Sequence, residues 1–268
     1  MIVRVFGRLF LQGLSVWQPS YKTGFQKEIS VFRREKFLKK FGVDFGYEPR
    51  FTSNVNSWTR FAVGKDVEEL CLEFHSAVYR LNADEFYELP QLLYANSRFK
   101  ELRFSLCWVT PKGNVAWNSL NKLSIGYVEL SEDVIERILA GSPVLEFLEL
   151  HHCKGFIRFV VTNSCVKKLI LRDFSCTSDY NEYRLEIPAP YLVSMEISDG
   201  LERCCRFMDV SSLVDAVFNY NLVLFDEDRA VDYERIQNMV VGLLASLAHV
   251  KNLTLGRYYN DLGLISES

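Results

Sequence analysis

The sequence predicts an α/β solenoid, with a curved parallel sheet on one side and helices and turns on the other. A short apolar register recurs along the chain, and its copies follow one another at nearly constant intervals. The segment between two copies has the pattern of a short helix. A unit of this size cannot bury its apolar face alone, so neighbouring units must stack.

The recurring register is one apolar residue, two residues of any type, a second apolar residue, one of any type and a third apolar residue. Leu145-x-x-Leu148-x-Leu150-x-x-Cys153 is its clearest copy, and it matches the leucine-rich-repeat consensus at every fixed position. Successive side chains of a strand point to opposite faces, so Leu148 and Leu150 share one buried face. Eight copies start at residues 67, 99, 120, 145, 166, 192, 213 and 250, and five consecutive intervals measure 21 to 26 residues. The chain is therefore predicted to be a leucine-rich-repeat solenoid.

The segment after the copy at residue 120 predicts a helix from Ser131 to Leu139. Ser131 suits the N-cap, two acidic residues follow it in the first turn, and Gly141 and Pro143 end the helix. The apolar residues between these limits fall on one helical face. Further helices are predicted over Asp232–Ala248 and Asp84–Tyr94, and loops at Lys112–Asn114 and Asp179–Asn181.

The charge distribution bounds the class of partner. The chain has 268 residues and a net charge of −3, whereas residues 1–50 carry ten basic and four acidic side chains. We interpret this basic stretch as a solvated helix face and expect no nucleic-acid partner, because the domain lacks a basic footprint.

No run of about 18 apolar residues occurs, so no membrane association is expected. Seven cysteines without a C-x-x-C pair indicate reduced thiols and a cytoplasmic or nuclear protein.

The motifs that mark enzymes, nucleotide sites and metal sites do not occur in this sequence. His151, His152 and Cys153 are adjacent, but neighbouring strand residues point to opposite faces and do not easily share one ion. Cys204 and Cys205 are adjacent too, and such a pair rarely satisfies disulfide geometry. We therefore predict no catalytic residue, no metal, no cofactor and no enzymatic activity.

The outward-facing positions of the predicted strands form the candidate binding surface, because solenoids commonly bind through their concave face. A row of mixed charges interrupted by apolar side chains suits a protein or peptide partner. The alternative is that this face is only solvated. The candidate partner-binding residues are Glu69, Arg103, Lys122, Phe147, Glu149, His151, Lys168, Ile170, Arg172 and Glu196.

Two central segments, residues 117–133 and 138–155, resemble the repeats of plant F-box/LRR-repeat proteins. Shorter stretches are similar as well: Val55–Trp58, Val67–Leu70, Leu89–Pro90, Leu93–Tyr94, Ile187–Leu192, Val210–Val214 and His249–Leu253. The resemblance covers about residues 50–257. In that family an N-terminal F-box docks the Skp-type adaptor of a cullin–RING ubiquitin ligase, and the repeats select the substrate. The resemblance thus implies a repeat fold and a role in substrate recognition.

No F-box pattern is recognised in residues 1–50, which argues against a Skp-type adaptor as a direct partner. We predict an N-terminal basic segment over 1–54, a leucine-rich-repeat domain over 55–260 and a C-terminal tail over 261–268. The predicted function is non-catalytic recognition of a protein or peptide on the concave face, implying substrate selection for ubiquitin ligases. The alternatives are a truncated F-box/LRR-like product without adaptor function and a stand-alone repeat scaffold.

Overall fold

One large parallel sheet runs through the part of the chain that the computed structural model describes. The described residues are 2–6, 38–75, 86–156, 158–161, 163–173, 185–200, 205–221, 241–242 and 244–257. The strands, in chain order, are β1 (Ile2–Phe6), β2 (Lys40–Gly46), β3 (Glu69–His75), β4 (Tyr87–Glu88), β5 (Glu101–Ser105), β6 (Cys107–Trp108), β7 (Lys122–Gly126), β8 (Phe147–His151), β9 (Lys168–Arg172), β10 (Leu185–Pro188), β11 (Ser194–Gly200), β12 (Cys205–Met208), β13 (Asp215–Asn221) and β14 (Asn252–Arg257). Ten of them form the sheet β1-β2-β3-β5-β7-β8-β9-β11-β13-β14, whose neighbours all pair in parallel. The predicted parallel sheet is confirmed.

The strands pair in register, so the predicted apolar residues form two continuous rows on the core side of the sheet. The first row is Leu70, Leu102, Leu123, Leu148, Leu169, Met195, Ala216 and Leu253, and the second is Leu72, Phe104, Ile125, Leu150, Leu171, Ile197, Phe218 and Leu255. From β3 to β13 each of these side chains is at most 5% exposed. The predicted repeat register is confirmed at all eight copies.

The last strand of the sheet differs from the strands β3 to β13 in the burial of its core rows. Leu253 and Leu255 of β14 occupy the two core rows, yet they are 38% and 53% exposed. Among the described strands β14 has a neighbour on one side only, which is β13. The core therefore thins abruptly at this edge.

One further copy of the register lies before the first predicted copy. Leu38, Phe41 and Val43 have the same spacing, and Phe41 and Val43 pair with Leu70 and Leu72 across β2 and β3. All three are buried. The large sheet thus continues into residues 1–54, which the sequence reading set apart as a basic segment. The division of the chain into domains stays a prediction, and the tail at 261–268 lies outside the described residues.

The predicted central helix is present as α3 (Glu132–Ala140); the helices before it are α1 (Thr52–Gly64) and α2 (Gln91–Tyr94). The Ser131 side chain accepts a hydrogen bond from the backbone N–H of Val134 at 3.3 Å, so Ser131 is the N-cap as predicted. Gly141 follows the last turn, where a Cβ would lie 2.3 Å from the Val115 carbonyl oxygen. Glycine therefore lets the helix end pack directly against backbone.

The helix predicted over Asp84–Tyr94 is wrong for residues 86–90 and right for Gln91–Tyr94, and residues 84 and 85 lie outside the described residues. Tyr87 and Glu88 form β4, which pairs with β6, and within the described residues 86–94 the helix is limited to the four residues of α2. Pro90 is the N-cap of α2 in an extended conformation. A proline disfavours the helical conformation of the residue before it, so helix begins only after Pro90.

The remaining predictions of local structure have mixed outcomes. Residues 241–242 and 244–246 are helical, in agreement with the end of the helix predicted over Asp232–Ala248, whose other part lies mostly outside the described residues. Lys112–Asn114 contains neither helix nor strand, as predicted. The loop predicted at Asp179–Asn181 lies outside the described residues.

Two short parallel pairs accompany the large sheet, β4 with β6 and β10 with β12. Their side chains contribute to the same core, since Tyr87, Cys107 and Ile187 are buried. Helix α1 adds Val55, Trp58 and Ala62 to that core. Described segments outside the large sheet thus help to cover the apolar side of its strands.

Candidate functional site

The side of the large sheet opposite the core carries three rows of outward positions. The first row, from β2 to β14, is Lys40, Glu69, Glu101, Lys122, Phe147, Lys168, Ser194, Asp215 and Asn252. The middle row is Gly42, Cys71, Arg103, Ser124, Glu149, Ile170, Glu196, Val217 and Thr254, and the last row is Asp44, Glu73, Ser105, Gly126, His151, Arg172, Ser198, Asn219 and Gly256. All ten residues predicted to bind a partner lie in these rows. The repeat register thus brings them to one face, and their use in binding stays a prediction.

Charges on this outward face pair with one another across strands. Arg172 contacts Glu149 at 3.3 Å and Glu196 at 3.1 Å, so one guanidinium joins three strands. Arg103 lies 3.3 Å from Glu73 across β3 and β5. Half-exposed pairs of this kind add little to stability, typically below about 1 kcal/mol each. These pairs give the outward face a defined pattern of charge.

The same pairing continues in the first outward row. Lys122 contacts Glu101 at 3.3 Å, and Lys40 forms an ion pair with Glu69. Phe147 follows Lys122 in this row, and its ring lies 5.0 Å from the Lys122 ammonium. Lys168 is the neighbour of Phe147 on the other side in this row, and its ammonium lies 5.8 Å from the centroid of the same ring. Phe147 is therefore an aromatic side chain between two cations, at distances that suit cation–π attraction.

Ile170 occupies an outward position, but its side chain is only 4% exposed. Its cross-strand neighbours in the middle row are Glu149 and Glu196. Arg172, two residues along the same strand, forms ion pairs with both of these carboxylates. These longer side chains surround Ile170, so this predicted contact residue offers a partner little surface.

The His151 side chain packs against the neighbouring strand. A Cβ built on Gly126 would lie 1.9 Å from the His151 Cε1, so the imidazole occupies the space above the Gly126 backbone. The Tyr127 ring meets the imidazole edge-on at 5.5 Å between centroids. Burial lowers the pKa of His151, with nearby Arg103 acting in the same direction and Glu149 opposing it. The ring is therefore mostly neutral at pH 7.

The turns that follow four successive strands share one backbone conformation. Leu106, Tyr127, His152 and Asp173 each directly follow a strand, and their φ values lie between 47° and 52°. The backbone N–H of each donates a hydrogen bond to a carbonyl of the next strand in the sheet. Tyr127, for example, donates to the His151 carbonyl at 2.9 Å. Side chains at this position are thus stacked from repeat to repeat, like those within the strands.

This repeated turn assembles four residues that we call the edge cluster: Tyr127, His151, His152 and Asp173. The rings of Tyr127 and His152 stack at 4.2 Å between centroids with 20° between their planes. His152 Nε2 lies 3.4 Å from an Asp173 carboxylate oxygen. Burial lowers the pKa of His152, and the Asp173 carboxylate opposes this effect. Tyr127 remains 42% exposed, so the cluster offers an aromatic surface to solvent.

Three residues of the edge cluster were missed by the sequence reading, which took only strand positions as candidates. The signal that could have found them is their place directly after an aligned strand.

The adjacent rings of His151 and His152 are 6.2 Å apart and almost perpendicular. Among the described residues no group of three or more His, Cys, Asp or Glu side chains is arranged to hold a metal ion.

Two cysteines occupy core positions of the repeat. Cys107 and Cys153 are fully buried, and Cys153 is the last fixed position of the clearest copy of the register. The Cys107 thiol donates to the Ser105 carbonyl at 3.2 Å, and the Cys153 thiol lies 3.6 Å from the Ile125 carbonyl. Burial raises the pKa of Cys153 to about 12 and that of Cys107 well above its ordinary value. Both thiols therefore stay protonated and serve packing.

A membrane-spanning helix is not found in the described part of the chain, where every helix is too short or too polar. No solved structure matches this chain.

Curated relatives from Arabidopsis thaliana are similar to most of the chain. F-box/LRR-repeat protein At3g03360 is 30% identical over 226 residues, which are 82% of this chain and 44% of the relative. F-box/LRR-repeat protein At5g02910 is 32% identical over 76% of this chain and 42% of the relative. F-box protein At5g03100 is 27% identical over 90% of this chain and 74% of the relative. The chain thus spans less than half the length of the first two.

The family model described as "At1g61320/AtMIF1, LRR domain" matches residues 36–225, which begin just before β2 and end just after β13. The matched stretch holds the core rows and the outward rows from β2 to β13. The predicted resemblance to F-box/LRR-repeat proteins and the predicted α/β leucine-rich-repeat fold are both confirmed. The chain belongs to the At1g61320/AtMIF1 family of leucine-rich-repeat domains.

Proposed function

We propose that this chain recognises another protein through the outward face of its sheet and thereby selects a substrate for a cullin–RING ubiquitin ligase. Membership of the leucine-rich-repeat family supports a role in protein interaction. The printed names of the relatives, F-box/LRR-repeat proteins, support the link to ubiquitin ligases. No enzymatic activity is part of this proposal, and its place of action is the cytoplasm or the nucleus.

The observation that carries the proposal is the contrast between the two faces of one sheet. From β3 to β13 the core rows are buried, whereas charged side chains of the outward rows are partly exposed. The ion pairs of Arg172 and Arg103 hold those side chains in defined positions. A pre-arranged surface loses less conformational entropy when a partner binds, which favours recognition.

The charge pattern explains how such a face would discriminate between partners. A partner that places a charge beside Arg172 must compete with Glu149 and Glu196 or complement all three groups. A mismatched charge would leave one of these groups desolvated and unpaired, which costs affinity. Specificity is therefore expected to reside in the pattern of pairs rather than in any single residue.

A site-specific photo-crosslinking experiment tests recognition by this face. Phe147 is replaced by a photoreactive phenylalanine analogue, and the purified chain is irradiated in a plant cell extract. The matched control carries the same analogue at Tyr191, which is 47% exposed in the turn before β11. We expect one defined protein adduct from position 147 and none of the same mass from position 191. Equal adducts from both positions, or adducts from 191 alone, would exclude the outward face as the recognition surface.

The ligase role has a separate test. The chain is co-expressed with a Skp-type adaptor, and the complex is sought by size-exclusion chromatography. A stable complex supports direct assembly into a ligase. Without a complex, but with the defined adduct at position 147, the stand-alone repeat scaffold is favoured. Thermal unfolding tests the third hypothesis, a truncated product without function, which is expected to unfold without cooperativity.

A further inference from the structure

We propose that the edge cluster is the place where the outward face binds a cationic side chain, arginine or lysine, of a basic segment in its protein partner. This inference deepens the proposed function and rests on it for the existence of a partner. The cluster lies at the carboxyl ends of β7, β8 and β9, next to the last outward row.

The first support is a positioned aromatic ring. Tyr127 is 42% exposed, and its ring is held by the stack on His152 at 4.2 Å and by the edge contact with His151 at 5.5 Å. His151 is itself fixed over the backbone of Gly126. The face of a phenol ring attracts cations, and a ring that is already oriented gives this attraction at low entropic cost.

The second support is the charge of the surrounding face. Carboxylates outnumber cations in the outward rows from β2 to β14. The carboxylates are Asp44, Glu69, Glu73, Glu101, Glu149, Glu196 and Asp215, and the cations are Lys40, Arg103, Lys122, Lys168 and Arg172. Asp173 adds a further carboxylate inside the edge cluster. His151 and His152 do not offset this excess at pH 7, because burial lowers the pKa of both.

The two supports point to the same ligand chemistry. An acidic segment would meet the excess of carboxylates and would gain nothing from the electron-rich face of Tyr127. A cation gains from both, because the Tyr127 ring is 42% exposed and the Asp173 carboxylate belongs to the same cluster through His152. A guanidinium also stacks flat on aromatic rings, and Tyr127 is 42% exposed although His152 stacks on it.

Fluorescence anisotropy with labelled model peptides tests the inference on the full chain. The probes are hexa-arginine, hexa-lysine, hexa-glutamate and hexa-proline, titrated at pH 7.5 and constant ionic strength. We expect the two basic peptides to bind and the acidic and neutral ones not to bind. Tyr127→Leu is expected to weaken hexa-arginine binding about two- to fivefold, which is the range of one exposed cation–π contact.

The variants are chosen so that the fold is kept. Leucine suits position 127, because Leu106 holds a φ of 52° at the equivalent turn. Asp173→Asn keeps the shape of the side chain and tolerates a positive φ, and it is expected to weaken hexa-arginine binding about threefold. The control Glu136→Gln removes one charge from the exposed side of α3, away from the outward face, and is expected to leave binding within about 1.5-fold.

Two results would overturn the inference. If Tyr127→Leu and Glu136→Gln weaken hexa-arginine binding equally, binding is diffuse attraction without a site. If only hexa-proline binds and this binding needs Tyr127, the cluster recognises a neutral segment instead. Neither result touches the proposed function, which the adduct at position 147 decides independently.

Discussion

The imidazole of His151 fills the space that a side chain on Gly126 would occupy, since a Cβ at Gly126 would lie 1.9 Å from His151 Cε1. The two residues face each other across β7 and β8 in the last outward row. The outward face of the repeat is therefore packed as a layer of its own at this point, and the imidazole is a structural part of it.

The first prediction follows from this contact. Gly126→Ala is expected to displace the His151 ring and to lower the free energy of unfolding by about 1–3 kcal/mol, because the added methyl overpacks the layer. Urea denaturation measures the loss, and the imidazole proton resonances report the displacement. Gly64→Ala is the matched control, since nothing lies within 4 Å of its Cβ at the end of α1. Equal losses in both variants would contradict the contact.

The second prediction compares the two faces of β8. Leu148→Asp buries a charge in a row where the wild-type side chain is 2% exposed, and a loss of several kcal/mol or failure to fold is expected. Glu149→Ala is expected to cost about 1 kcal/mol or less, because Arg172 keeps its contact with Glu196. Thermal unfolding followed by circular dichroism measures both, and similar losses would show that the register is wrong.

The third prediction concerns pH. The pKa of His151 is lowered from 6.5 by burial, so the folded protein binds this proton more weakly than the unfolded chain does. The resulting stability is fully present above about pH 6.5 and is lost as the pH falls through the folded pKa. Wild-type protein is therefore expected to melt at lower temperature at pH 5.5 than at pH 7.5. His151→Gln should reduce this difference; an unchanged pH dependence would assign it to other groups.

The fourth prediction concerns thiol reactivity. Cys153 has a pKa raised to about 12 by burial, and Cys107 is fully buried as well. Only the thiolate reacts, so both residues should resist iodoacetamide at pH 8 in the native protein. Mass spectrometry of proteolytic peptides measures the modification, and full reaction is expected in 6 M guanidinium chloride. Rapid modification of Cys153 in the native state would show that its core position is wrong.

The core could be predicted from the sequence because each copy of the register carries its own period-2 pattern. Residues two apart in a strand lie on the same face, so Leu148 and Leu150 share a face, and the equivalent pair of every other copy does the same. The copy at Leu38 was missed because it lies in a segment that its basic charge set apart. The helix over Asp84–Tyr94 failed because Pro90 determines the backbone more strongly than the apolar spacing around it.

The candidate surface could be predicted only in part. Strand periodicity gives the side on which a residue lies, but it does not give the length of the neighbours that surround it. Ile170 is therefore outward and still buried between Glu149 and Glu196. Tyr127 and Asp173 lie in turns, whose positions become equivalent only when the strands are aligned. Contacts between repeats, such as the stack on His152, are tertiary and have no signature in a single copy.

The exposed leucines of β14 affect the order in which the repeats unfold. A strand inside the array is held by interfaces on both sides, whereas β14 has one described neighbour and leaves Leu253 and Leu255 partly in water. In a one-dimensional array each lost repeat removes only its own interface, so opening spreads inward from the weakest end. Among the strands from β7 to β14, amide hydrogen exchange should therefore be fastest in β14, slower in β13 and slowest in β7 and β8, as a gradient of local opening along this half of the sheet.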